Sequence, residues 1–143
     1  MKIYLAGPLF TTAEREFNTR LAQILRGAGH EVFLPQEQEA RDSPARAIFE
    51  TDVQAIDAAD VVVASMDGPD PDSGTSWECG YAYARKKPIV LFRTDFRAAD
   101  ELGKASYNLM LTECAAHGLA LPLADTATVG AQILRVLDSP FTS

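Results

Sequence analysis

The run Asp60-Val61-Val62-Val63-Ala64-Ser65 constrains the fold more than any other segment of the chain. Its apolar residues do not alternate with polar ones, so a strand built from them must be covered on both faces, as in a parallel sheet. Similar strands are predicted at Ile3-Tyr4-Leu5-Ala6, ended by Gly7-Pro8, at Glu31-Val32-Phe33-Leu34, stopped by Pro35, and at Pro88-Ile89-Val90-Leu91-Phe92. A short one is predicted at Leu119-Ala120-Leu121. Between them the apolar spacing turns helical. Thr11 or Thr12 caps a helix with Phe17, Leu21, Ile24 and Leu25 on its apolar side and Gly27 and Gly29 near its end. Further helices are expected over about 44–59, 76–86, 106–117 and 126–138, with polar or charged loops at 36–44, 67–74 and 93–104. Strands that alternate with helices imply right-handed crossovers. The expectation is an α/β fold: a doubly wound, mostly parallel five-stranded sheet, flavodoxin- or Rossmann-like, with helices on both faces and residues 1–143 in a single domain. Such sheets bind ligands beyond the carboxyl ends of their strands, which places Gly7-Pro8 and the 67–78 segment at the expected site.

Composition narrows the function classes. The net charge of −7 argues against binding a nucleic-acid polymer, because Lys and Arg are scattered apart from Arg85-Lys86-Lys87. That run suits a helix C-terminus. Cys79 and Cys114 form no Cys-x-x-Cys pair, so no metal site is expected and the compartment is read as reducing. No apolar run reaches the ~20 residues that span a bilayer, and the N-terminal segment lacks a signal peptide's apolar stretch. The expectation is a cytoplasmic protein with no membrane partner.

The segment Asp67-Gly68-Pro69-Asp70-Pro71-Asp72-Ser73-Gly74-Thr75-Ser76-Trp77-Glu78 follows the apolar strand. It has no lysine and several acids, so it does not cradle phosphate. Acids at a strand's carboxyl end suit a neutral polyhydroxylated ligand, a metal, or carboxylate catalysis. Glu78 is expected in the first turn of its helix, where the dipole favours an ionised, nucleophilic carboxylate. Position alone also suits a first-turn glutamate that only stabilises the helix. Asp52 falls on the apolar stripe Ile48, Phe49, Val53, Ile56. There it is paired, protonated or used on a ligand, unless that end of the helix is exposed and Asp52 sits on its rim. Gly80 is expected to permit close packing against the sheet. Tyr81 and Tyr83 are read as packing residues. Trp77 is read as a core plug or as a ring that stacks on a base. His30 and His117 are read as structural.

Taken together, Ile3-Tyr4-Leu5-Ala6-Gly7-Pro8, the block Asp72-Ser73-Gly74-Thr75-Ser76-Trp77-Glu78-Cys79-Gly80-Tyr81-Ala82, Lys87-Pro88-Ile89-Val90-Leu91-Phe92-Arg93 and Tyr107-Asn108-Leu109-Met110 resemble the nucleoside 2-deoxyribosyltransferase family. The block around Glu78 is the specific part. The resemblance implies transfer of a 2-deoxyribosyl group between nucleobases through a glycosyl-glutamate, with Glu78 as nucleophile. It implies that Asp52 contacts the base and handles its proton, and that Tyr4 orients the nucleophile. Asp72 would hold the sugar hydroxyl. Asn108, in its Asn-Leu-Met segment with Met110, would reach in from a neighbouring subunit to the 5′-hydroxyl. Gly7 and Gly74 complete the expected substrate contacts. No cofactor is implied. The implied partners are deoxynucleosides, free bases and a second copy of the chain, as a homodimer or a higher homo-oligomer. The chain departs from the family at Pro8-Leu9, where an aromatic residue often lies near the base, and in the longer charged loop at 93–104. Two other readings stay open. One is an N-glycosidic hydrolase of nucleoside 5′-monophosphates: Asp72 would repel a phosphate dianion by on the order of several kcal/mol where water is partly excluded, but Ser73 and Ser106 lie beside the sugar-end positions. The other is a non-catalytic nucleotide-binding module, which would not need a poised nucleophile.

Overall fold

The apolar run becomes the middle of a five-stranded sheet. The computed structural model describes residues 1–38, 42–97, 107–139 and 141. Its strands are β1 (Lys2–Ala6), β2 (Glu31–Phe33), β3 (Val61–Ser65), β4 (Ile89–Arg93) and β5 (His117–Ala120). They lie in the order β2-β1-β3-β4-β5, and all four pairings are parallel. The helices are α1 (Thr12–Gly27), α2 (Pro35–Gln38), α3 (Ala45–Ala58), α4 (Ser73–Ala84), α5 (Leu109–Cys114) and α6 (Thr126–Leu137). The expected doubly wound α/β fold is therefore present.

Strand parity divides the core in two. Ile3, Leu5, Val61, Val63, Val90 and Phe92 point to one face and pack with Leu21 and Leu25 of α1 and Val129 and Ile133 of α6. Tyr4, Ala6, Val62, Ala64, Ile89 and Leu91 point to the other. They meet Ile56 of α3, Cys79 and Ala82 of α4, and Leu111 of α5. Every residue of β3 and β4 is buried, and each large apolar side chain so covered contributes roughly 1.5–3 kcal/mol. The register sets Tyr4 beside Val62, so the Tyr4 ring lies under α3 and α4. The chain runs from β1 out to β2 and then returns past β1 to β3. The switch point thus opens at the carboxyl ends of β1 and β3, where a ligand crevice forms in this topology.

Several boundaries differ from those read in the sequence. Within the expected loop at 36–44, α2 forms, with proline at its first position, where a missing N–H costs nothing. Gln36 ties α2 to α1, donating to the Arg15 carbonyl at 2.9 Å and to Thr19 Oγ1 at 3.0 Å. Helix α4 starts at Ser73 rather than near Ser76, because Asp72 caps it, accepting from the Thr75 N–H at 2.9 Å. Helix α5 is shorter than expected, and β5 begins two residues early at His117. Thr11 is the cap of α1 and forms a capping box with Glu14. The basic run does end α4, and Lys87 Nζ also donates to the Asp57 and Ala59 carbonyls at 2.7 and 2.8 Å, at the C-terminus of α3. Much of the charged loop, 98–104, lies outside the described residues, as does Ser106.

Candidate active site

Glu78 joins the two elements that meet at the switch point. Tyr4 is fully buried in β1 and stacks on Phe33 of β2, with ring centroids 5.4 Å apart. Its hydroxyl donates to Glu78 Oε1 at 2.6 Å. A bond this short to a carboxyl oxygen is of the strong, charge-assisted kind when the carboxylate is ionised. It leaves Glu78 with one orientation and with its other oxygen, Oε2, available to a ligand among the described residues.

The start of α4 at Ser73 moves Glu78 into the second turn and corrects the first-turn reading. The dipole acts mainly within the first turn, so the expectation of a carboxylate kept ionised by the helix is overturned. Burial instead pushes the Glu78 carboxyl up to about 7. The Tyr4 hydrogen bond opposes that rise, and the charges of Asp52 and Asp72 add to it.

Asp52 lies on α3 across a cavity of about 290 Å³ that is lined by Phe49, Asp52, Val53, Gly74, Trp77 and Glu78. Its place on the apolar stripe has a spatial meaning, because that stripe faces the wall of α4. Trp77 is not a core plug; 48% of it is exposed, beside Phe49 at 44%. Asp72 is the cap of α4, and its Oδ2 accepts from both the amide and the hydroxyl of Thr75. A Cβ at Gly74 would lie 3.1 Å from that same Oδ2, so glycine gives the capping carboxylate its room. Gly7, at the exit of β1, has Ser65 Cβ 3.2 Å from where its own Cβ would be, and this close approach lets the two strand ends converge. The sequence reading missed Asn18, a buried side chain of α1 that donates to the Pro8 carbonyl at 3.0 Å and to Gln36 Oε1 at 3.1 Å. The signal existed: Asn18 shares the buried side of α1 with Leu21, Ala22 and Leu25.

Asn108 and Met110 are not in this cavity. Asn108 caps α5, accepting from the Met110 N–H at 2.9 Å, and Met110 is 73% exposed. Both line a separate groove of about 590 Å³ with Ser76, Gly80 and Tyr83 of α4. At about 100° per residue, Ser76, Gly80 and Tyr83 share one flank of α4, and Gly74, Trp77, Glu78 and Tyr81 share the other. Gly80 therefore opens into the groove and does not pack on the sheet; a Cβ there would meet nothing within 4 Å. Tyr83 is likewise exposed, not packed. The structure thus gathers Tyr4, Asp52, Gly74 and Glu78, places Asp72 at the head of the same helix and Gly7 at the strand exit, and leaves Asn108 and Met110 on the far flank.

Comparison with known proteins fits this arrangement. The sequence profile of the family described as Nucleoside 2-deoxyribosyltransferase matches residues 3–123. The 2-deoxyribosyltransferase of Bacillus psychrosaccharolyticus is 31% identical, with a TM-score of 0.71 over 91% of this chain and 90% of that one. The 2-deoxyribosyltransferase of Leishmania mexicana is 26% identical, with a TM-score of 0.64 over 77% and 84% of the two chains. A provisionally named 2'-deoxynucleoside 5'-phosphate N-hydrolase of Thermofilum pendens is 29% identical over 63% of this chain and 66% of its own length. Two of these relatives are named for transfer and one, provisionally, for hydrolysis, and the matched profile spans both ends of the site, from β1 through α5. The chain belongs to the nucleoside 2-deoxyribosyltransferase family.

Proposed function

We propose that this protein transfers a 2-deoxyribosyl group from one nucleobase to another by double displacement at Glu78. The observation that carries the reading is the Glu78 carboxyl, aimed by Tyr4 into a cavity that Asp52 also lines. In the first step a Glu78 oxygen bonds to the anomeric carbon as the glycosidic C–N bond breaks. The departing base keeps the bonding pair and takes a proton from Asp52. In the second step an incoming base attacks the same carbon, the ester bond breaks, and Asp52 recovers a proton from that base. Two carboxyl groups with separate duties are the pattern of retaining glycosyl transfer. Asp72 keeps Oδ1 without a protein partner among the described residues, which suits a bond from a sugar hydroxyl. Asn108 lies on the flank of α4 away from its own Glu78, which supports the reading that a second copy brings it to the site.

Hydrolysis of a deoxynucleoside 5′-phosphate is the second reading, favoured by the Thermofilum pendens relative. It uses the same first step, with water in place of the second base. Incubation with a deoxynucleoside and a different free base separates the two: a new nucleoside marks the transferase, and free deoxyribose or its 5-phosphate without exchange marks the hydrolase.

The nucleophile must be ionised, so the acid limb of the kcat/KM profile should have its midpoint near pH 7, with a fall at higher pH once the acid that protonates the leaving base has lost its proton. The same shift has a stability cost. A carboxyl raised in the folded state favours folding below its unfolded pKa of about 4.5, and that contribution is lost as pH rises to about 7. Glu78→Gln should therefore abolish exchange and yet raise stability at pH 8, by up to about 3 kcal/mol. Urea titration at pH 4 and pH 8 checks the sign; a variant less stable than the parent at pH 8 contradicts it.

Asp52→Asn should slow substrates with ordinary bases by about 100-fold or more and activated leaving groups much less. Equal losses on both would leave Asp52 with a positioning role only. Mixing inactive Glu78→Ala with inactive Asn108→Ala under subunit exchange should restore part of the activity, since a hybrid pair holds one complete site. No recovery, together with an active monomer in sedimentation, would place Asn108 within its own chain's chemistry.

A further inference from the structure

The cavity's apolar side is built with more order than its lining requires. Trp77 stacks on Tyr81 with centroids 5.4 Å apart and planes only 5° from parallel. The Tyr81 hydroxyl donates to the Asp57 carboxylate, 3.1 Å from each oxygen, and Arg85 Nε holds Asp57 Oδ1 at 2.7 Å. One face of the indole is thus covered by a ring whose own position is pinned through its hydroxyl. Phe49 meets Trp77 at 5.3 Å with its plane inclined by 58°. Both Phe49 and Trp77 line the cavity of Asp52 and Glu78, and each remains close to half exposed. The exposed Arg46 guanidinium, paired with Glu50, lies 5.4 Å from the Phe49 centroid. Aromatic surface still close to half exposed beside two carboxyl groups suits a flat, uncharged heteroaromatic ring, since stacking covers the apolar area.

We propose that Phe49 and Trp77 form the base-selecting wall of the site, and that Tyr81, held by Asp57, is the positioning residue that sets the plane of Trp77. The proposal rests on the glycosyl-transfer reading and names what that reading leaves open, the discrimination between bases. Two rings inclined at 58° do not sandwich one base between parallel faces. A two-ring base reaches both Trp77 and Phe49, whereas a one-ring base stacks on one of them and leaves the other wet. The wall therefore favours purines over pyrimidines, and Phe49 carries the difference.

Trp77 is the chain's single tryptophan, so its emission reports on this wall without any reaction. The intact protein is titrated with adenine, with cytosine and with 2-deoxyribose, exciting at the red edge of indole absorption. Adenine should shift the emission at lower concentration than cytosine, and 2-deoxyribose should leave it unchanged. Phe49→Ala should raise the adenine midpoint about tenfold, the effect of one lost base–ring contact, and the cytosine midpoint less than about threefold. Phe49→Leu, which keeps bulk but not the ring, should fall between. Tyr81→Phe keeps the stacked ring and frees it from Asp57; it should raise the adenine midpoint about threefold and raise KM for purine acceptors more than it lowers kcat. Equal shifts for both bases in Phe49→Ala, or an unchanged adenine midpoint in both Phe49 variants, overturn the proposal. Exchange activity in the parent alongside such equal shifts removes the wall and leaves the transfer reading intact. The expected pattern of emission shifts without exchange removes the transfer reading and supports the wall.

Discussion

The hydrogen bond from Tyr4 to Glu78 ties the first strand of the sheet to the helix that follows its central strand. Each partner is placed by a different rule. Tyr4 points toward α3 and α4 because of strand parity: Ile3 and Leu5 take the other face. Glu78 faces the strand because α4 is phased by its buried residues Thr75, Cys79 and Ala82. The bond at 2.6 Å forms only if the parallel register and the phase of α4 are both correct. The site thus reports on the whole fold, and a slip of one residue in β1 would turn Tyr4 to the wrong face.

Burial, not the helix dipole, sets the chemistry of Glu78. A carboxylate in the first turn would be held ionised at every physiological pH. In the second turn, against the core, it is desolvated and its proton is held up to about 7. For the nucleophile role proposed for Glu78, a carboxyl poised near neutrality is not a weak design: it would be basic enough to bond to carbon and acidic enough to leave again. The Tyr4 hydroxyl moderates the shift and keeps the ionised form within reach.

The sheet was legible because its strands are buried on both faces and are written as apolar runs, as at Val61-Val62-Val63-Ala64. The start of α4 was misread because Asp72, Ser73, Thr75 and Ser76 are all residues that cap helices, and only the geometry selects Asp72. That single ambiguity moved Glu78 by a turn, and burial there, which the sequence does not show, raises its carboxyl rather than lowering it. Asp52 was visible as a polar residue on an apolar stripe, and Asn18 carried the same signal. The separation of Asn108 from the Glu78 cavity could not be read, since it depends on which flank of α4 packs against α5. The order within the aromatic wall depends on a hydrogen bond between Tyr81 and Asp57, residues on different helices.

The central claim is that the sugar passes through a covalent bond to Glu78. Incubation with a 2-fluoro deoxyribosyl nucleoside, whose slow second step preserves the ester, followed by proteolysis and mass measurement of the peptide that contains Glu78, tests it directly. The account predicts one sugar mass on Glu78 and one equivalent of base released, with the label lost when a second base is added. Release of base with no modified peptide, or a sugar carried on Asp52 or Asp72, would contradict it.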